Sequence, residues 1–258
     1  MKNKNAFCLI LVRPNKIWVE FLNTMTNDYD IFIVIDDSNY NISALQTIYY
    51  NITFIQINDE ECKNNGYWDS SFMVSKNPSG WDKALYYFSK INTTYPHCWF
   101  CEDDVFFYSS QTLKRIDAIH PTTHLLCNET ETNIEGYNRE WHWQQAVPYF
   151  KLPWLKAMVC CCRLSQQLLE HIDTFVQQKT KLTFIECMFP TLAYQHNMTI
   201  ATPQEFSNIH WRNDWTNFQL NPRYLYHPFK NIEDHTIIRR TGKLAKKSFF
   251  SFLNRFLK

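Results

Sequence analysis

Glycine is scarce in this chain, with four among 258 residues, and the first of them is Gly66. A glycine-rich phosphate loop near the start, which a sugar nucleotidyltransferase would normally show, is therefore absent. Charge of one sign is lacking too. A formal net charge of +1 leaves no global electrostatic footprint for nucleic acid, so no nucleic-acid partner is expected. No apolar run approaches a bilayer span. Residues 7–12, which follow Met1-Lys2-Asn3-Lys4-Asn5, are shorter than a signal-peptide core and are expected to be the first strand. On that reading the protein is expected in the cytoplasm, with its nine cysteines, Cys160-Cys161-Cys162 among them, as reduced and mostly buried thiols. Cys98 and Cys101 have CxxC spacing, but no second CxxC or HxxxH pair follows, so strand packing is expected there rather than zinc. No internal repeat and no Pro/Gly/Ser-rich linker divides the chain, which reads as one domain plus a tail.

What is present is an ordinary globular balance, 45% hydrophobic and 20% charged, which excludes wholesale disorder. Short β-branched or aromatic runs at 7–12, 30–35, 52–57 and 97–101 are expected strands. Between them lie expected helices near 17–25, 43–49 and 81–91. This alternation predicts an α/β fold with a mixed, mostly parallel sheet flanked by helices, in which ligands gather at the carboxyl ends of the strands.

Both acidic groups of the first half occupy that position. Asp36-Asp37 ends the second strand, and Glu102-Asp103-Asp104 ends the fourth, after the apolar Trp99-Phe100-Cys101. Ionised carboxylates at the end of a buried strand are costly unless a cation meets them. A hard divalent ion suits them, because Mg²⁺ and Mn²⁺ take carboxylate oxygens and leave positions open for substrate phosphates. A solvated acidic turn is the plain alternative.

In the second half, residues 128–154 form a long polar and aromatic connection that reads as a lid or binding loop. Trp141, Trp143 and Trp154 could there offer a stacking platform for sugar rings, although only one or two of them are expected to do so. Ser165 is placed to cap a helix whose apolar face is Leu168, Leu169, Ile172, Phe175 and Val176. A strand-to-helix step is expected over 182–194, with Glu186 near the junction.

Taken together, Ile33-Val34-Ile35-Asp36-Asp37 and Trp99-Phe100-Cys101-Glu102-Asp103-Asp104-Val105 resemble the nucleotide-binding strand end and the EDD (DxD-type) motif of GT-A fold, nucleotide-sugar-dependent glycosyltransferases. The resemblance implies a nucleotide-sugar-binding half at 1–127 and an acceptor half at 128–240. It further implies a UDP-type sugar donor, Mn²⁺ or Mg²⁺ as cofactor, and a glycan or glycoconjugate acceptor. On the motif, it assigns Asp104 to the metal with Glu102 beside it, and Asp103 to the ribose. Phe184-Ile185-Glu186-Cys187-Met188 looks like the acidic junction of inverting members, where the carboxylate is the catalytic base. Tyr226-His227-Pro228-Phe229-Lys230 is similar to C-terminal contacts to the metal and diphosphate, which nominates His227 and Lys230.

Each role has a structural alternative. Asp36 and Asp37 either accept hydrogen bonds from a nucleoside or simply end a strand. Glu186 is either a base or a helix N-terminal acid favoured by the macrodipole. His210 competes with His227 for the metal, and Arg212 with Lys230 for phosphate. Asp82 and Lys83 lie where they could approach the nucleotide, whereas Trp81 is expected to pack. Residues 241–258 combine Lys243, Lys246, Lys247, Arg255 and Lys258 with a run of phenylalanine and leucine. This basic amphipathic pattern reads either as a contact to the cytosolic face of a membrane or as a helix packed on its own domain. Other metal-dependent phosphoryl transfer and a catalytically silent carbohydrate-binding protein are the rival functions.

Overall fold

A computed structural model describes residues 4–71, 78–213, 215 and 220–242. The first strand, β1 (Ala6–Leu11), is followed by α1 (Lys16–Asn23), β2 (Asp30–Ile35), α2 (Ser43–Ile48), β3 (Ile52–Ile55) and α3 (Asp59–Asn64). Next come α4 (Gly80–Tyr86), which runs into a π-helical turn at Tyr87–Ile91, then β4 (His97–Glu102) and α5 (Ser110–Ile119). The second half supplies β5 (Leu125–Leu126), β6 (Glu131–Asn133), β7 (Trp154–Lys156), β8 (Cys161–Ser165), α6 (Gln166–Lys179) and α7 (Ile185–Gln195). It closes with β9 (Ile200–Ala201), β10 (Asn208–Ile209), β11 (Tyr226–His227) and α8 (Ile232–Thr241).

Seven strands form one sheet in the order β3-β2-β1-β4-β8-β5-β9. Pairing is parallel from β3 through β4 and between β5 and β9, while β8 runs antiparallel to both β4 and β5. The mixed, mostly parallel sheet with helices on its faces is the architecture expected from the alternation of strands and helices. Its faces follow the period of two of an extended chain. Cys8, Ile10, Cys98 and Phe100 enter one core, and Phe7, Leu9, Trp99 and Cys101 enter the other. Cys98 and Cys101 thus point to opposite faces of β4 and share no ligand. All nine cysteines are buried and free, and burial pushes thiols such as Cys98 and Cys160 up, away from reactivity.

Helix starts follow local chemistry. The Asn15, Asn58 and Ser165 side chains accept from the amides of Trp18, Glu60 and Leu168, so Ser165 caps α6 as its sequence indicates, with Leu168, Leu169, Ile172, Phe175 and Val176 buried. One local expectation is corrected: residues 182–184 form no strand. The amides of Leu182 and Ile185 instead make one bond each to the Trp68 and Ser70 carbonyls, too few for a ladder, and α7 begins directly at Ile185. The long segment 128–154 is anchored where β6 pairs antiparallel with β7. Trp143 and Trp154 are core residues, 4% and 6% exposed, and only the half-buried Trp141 of the three remains available to a ligand. Residues 243–258, which carry nearly all of the basic tail, lie outside the described residues. No described helix is long and apolar enough to cross a membrane.

Candidate active site

The sheet order reverses between β1 and β4: from β1 the chain steps outward to β2 and β3, then returns to β4 on the other side. A crevice at the carboxyl ends of the strands forms at such a switch point. Register brings the acids together there, because Leu11 pairs with Ile35 and Ile10 with Glu102. The crevice is a cavity of about 730 Å³ lined by Val12, Asp36, Trp81, Glu102, Asp103, Asp104, Glu186, Trp211, Arg212, His227 and Lys230, among others.

The acidic turn is tied down on both sides. Trp18 Nε1 donates to the Asp103 carbonyl at 2.9 Å, the Phe229 amide donates to the Asp104 carbonyl at 2.6 Å, and Phe106 exchanges two backbone bonds with Tyr226. The short parallel pair of β10 with β11 aligns Ile209 with His227, so the His227 ring comes to stand over the turn. Its Nδ1–H donates to the His210 carbonyl at 2.7 Å, which turns Nε2 toward Asp104 Oδ1 at 3.3 Å, where the protonated ring pairs with the carboxylate and the neutral ring would offer its lone pair to a cation. Lys230 pairs with the other Asp104 oxygen.

Glu102, Asp104 and His227 each present a ligand atom within 4.8 Å of the others. Asp104 Oδ1 is buried without a well-formed hydrogen bond, as an oxygen awaiting a cation would be. Two carboxylates and one imidazole suit Mn²⁺ or a similar divalent ion, so the residues fit the group. The electrostatics agree. Burial pushes the Glu102 and Asp103 carboxyls up, and repulsion from Asp104 adds to it. Burial also opposes ionisation of Asp104, but His227 and Lys230 beside it hold it below its ordinary value.

Glu186 occupies the first turn of α7, at the wall shared with a second cavity of about 920 Å³. That cavity is lined by Trp141, His142, Lys156, Met158, Phe184, His210 and Trp211, with Glu129 and Glu131 at its edge. Met158, Phe184 and Trp211 complete the shared wall. Burial raises the Glu186 carboxyl to about 7, and the nearby Glu102 charge pushes the same way.

Of the sequence candidates, Asp36, Asp103, Asp104, Glu102, Glu186, His227 and Lys230 meet around one cavity. Asp37 does not line it: its oxygens accept from Arg13 Nε at 2.7 Å and from the Asn39 amide at 3.0 Å. His210 contributes its carbonyl to His227 and its ring to the second cavity. Two participants were missed, Trp81 as more than packing and Trp211, and Lys83 reaches the site through Asp36. Trp81 donates to Glu102 Oε1 at 2.7 Å besides packing. Lys83, fully buried, bonds the Asp36 carbonyl at 2.6 Å and stands 3.2 Å from its carboxylate. Trp211, 54% exposed, faces both cavities. The aromatic cluster His210-Trp211 was the available signal for Trp211; nothing local marked Trp81 as more than core.

No protein-family model matches the chain, and no curated protein matches it. Among solved structures it is similar to 2-C-methyl-D-erythritol 4-phosphate cytidylyltransferase of Thermus thermophilus, with 9% identity over 78% of this chain and 88% of that one and a TM-score of 0.42. It is also similar to mouse xyloside xylosyltransferase 1 in its apo form, with 10% identity over 89% of this chain and 98% of that one and a TM-score of 0.44.

Proposed function

We propose that this protein is a GT-A-type, metal-dependent glycosyltransferase that moves a sugar from a UDP-type donor to a hydroxyl of a glycan or glycoconjugate, with inversion. One observation carries the reading: Glu186, with its carboxyl raised to about 7, stands in the wall common to a cavity with a cation-ready acid cluster and a second cavity lined by aromatic and polar side chains. A base at the junction of a donor pocket and an acceptor pocket is what direct displacement requires.

The donor diphosphate lies on this reading in the first cavity, near Glu102, Asp104 and His227, with Lys230 and Arg212 as cations on the same wall. A divalent ion held by those three residues supplies neutralisation of the charge on the departing diphosphate. Asp36, held from below by Lys83, and Asp103 accept hydrogen bonds from the nucleoside. The acceptor enters from the second cavity, where Trp141 and Trp211 offer apolar ring faces to a sugar. Ionised Glu186 accepts the proton of the acceptor hydroxyl as its oxygen attacks the anomeric carbon from the side opposite the diphosphate. A value near 7 matches that role, since a base of this strength is about half ionised at neutral pH and takes a proton readily.

The test is a nucleotide-sugar panel with and without Mn²⁺, read by nucleoside diphosphate release and by the anomeric configuration of the product. UDP release that needs Mn²⁺ and yields an inverted linkage supports the reading. Pyrophosphate release from a nucleoside triphosphate and a sugar phosphate would mark nucleotidyl transfer instead, and donor binding without turnover would mark a silent carbohydrate-binding protein.

A further inference from the structure

Three consecutive residues in the first turn of α4 reach three different parts of the cavity. Lys83 holds Asp36, and Trp81 holds Glu102. Asp82, 1% exposed, accepts from the Ser79 amide at 2.6 Å, the Ser79 hydroxyl at 2.7 Å and the Ser70 amide at 2.9 Å. The Ser79 amide bond belongs to a capping box that starts the helix, and the hydroxyl bond adds to it. The bond to Ser70 is one that a local cap does not need. Its consequence lies across the site, because the Ser70 carbonyl accepts from the Ile185 amide at 3.0 Å, at the first residue of α7 and next to Glu186.

The Trp81 ring is itself wedged between the sheet and α7, 5.8 Å from Phe100 and 6.1 Å from Phe189 between centroids. A close approach seats this turn against β1: a Cβ on Gly80 would meet Ile10 Cγ2 at 2.8 Å, so a larger residue would push the turn and Trp81 away from the strand. The Trp81 indole N–H is therefore aimed at Glu102 Oε1 by packing on two sides, and that bond fixes how the carboxylate is turned.

We propose that Trp81 and Asp82 are positioning residues of the candidate site: Trp81 orients Glu102 toward a divalent cation, and Asp82 keeps that indole and the start of the Glu186 helix in one register. The inference rests on the reading of Glu102, Asp104 and His227 as cation ligands. An unpinned glutamate must lose side-chain freedom when it takes a metal, whereas one already held by an indole N–H does not.

The experiment is a direct Mn²⁺ titration of the full chain, without nucleotide, read by the free-ion EPR signal, for wild type, Asp104→Asn, Trp81→Phe and Asp82→Asn, with melting temperatures alongside. Trp81→Phe keeps most of the ring volume and removes the N–H, and is expected to weaken Mn²⁺ binding roughly 10–100-fold, as loss of a partner behind a metal ligand does. Asp82→Asn, nearly isosteric, is expected to weaken Mn²⁺ binding and also to lower kcat at saturating Mn²⁺ and donor. A purely structural role would lower the melting temperature and leave the affinity of the folded protein unchanged. Wild-type Mn²⁺ affinity in folded Trp81→Phe, with binding lost in Asp104→Asn, overturns the proposal. If Trp81→Phe does not fold, Asp82→Asn decides by the same two readouts, and wild-type values there overturn it. A wild-type chain that binds no Mn²⁺ refutes the cation reading itself, and this inference with it.

Discussion

His227 Nδ1 meets the His210 carbonyl at 2.7 Å, and Nε2 of the same ring faces Asp104 Oδ1 at 3.3 Å. A backbone carbonyl on one side thus fixes which nitrogen faces the carboxylate on the other, which is the orientation that a metal-ligating imidazole needs. Lys230 meanwhile occupies the second Asp104 oxygen, so the turn is neutralised in part before any cation arrives.

Asp104→Asn removes the one acid that touches both His227 and Lys230. Mn²⁺-dependent UDP release is expected to fall by more than the roughly 10–100-fold that losing even an outer partner of a metal ligand costs. Melting temperature serves as the control, because an intact fold with near-wild-type turnover at saturating Mn²⁺ would remove Asp104 from the ligand set.

Glu186→Gln keeps the shape of the shared wall and abolishes its basicity. Transfer to the acceptor is expected to drop about 10²–10⁴-fold with donor affinity preserved. Single-turnover transfer and UDP binding, measured on the same preparation, separate the outcomes: collapsed donor affinity with surviving transfer would make Glu186 a binding residue.

The pH dependence has a defined direction. Glu186 titrates at about 7, raised by burial first and by the Glu102 charge second, and a base acts only when ionised. Transfer is therefore expected to rise with pH toward a plateau. Its midpoint in the presence of Mn²⁺ should lie at or below about 7, since a cation on Glu102 cancels the second contribution. A rate that falls as pH rises through this range would exclude the carboxylate base.

Trp211 is an exposed ring between the two cavities, with little packing to lose. Trp211→Ala is expected to raise the acceptor KM roughly 2–10-fold, the equivalent of about 0.5–1.5 kcal/mol for a ring contact, with an unchanged melting temperature. Steady-state kinetics at saturating donor check this, and an unaltered acceptor KM would take the ring out of the acceptor path.

His235 is fully buried on α8 against Trp18, Phe106 and Phe229, and burial lowers its ring to about 3. The fold holds it neutral, while the unfolded chain protonates it near 6.5. Stability present above pH 6.5 is accordingly lost as pH falls toward about 3, by about 1.4 kcal/mol per pH unit for this one group. His97, lowered to about 4 chiefly by burial, acts in the same direction. Urea melts at pH 7 and pH 5 are expected to show a smaller loss for His235→Phe than for wild type; equal losses would mean that the ring charges without cost.

Much of the first half was legible as local pattern. Unbroken apolar runs in 6–11 and 98–101 dictate a strand buried on both faces, and the period of two of a strand already separates Cys98 from Cys101. The strand ends, the Ser165 cap and the apolar face of α6 follow from nearest-neighbour chemistry in the same way. The acids of Glu102-Asp103-Asp104 declared themselves because charge at the end of a buried run has to be compensated.

Partnership across the chain was not legible. Cys161–Ser165 carries no local mark of an antiparallel strand between β4 and β5, since the choice of neighbour depends on what the rest of the sheet leaves unpaired. Trp141, Trp143 and Trp154 look alike in sequence, yet two of them fill the core, because burial is decided by where β6 and β7 fold back. The acids and their spacing were properties of the sequence. That Trp81 meets Glu102, that His210 turns His227 toward Asp104, and that Glu186 stands between two cavities were decided only by tertiary packing, which brings distant segments within the few ångströms over which hydrogen bonds and desolvation act.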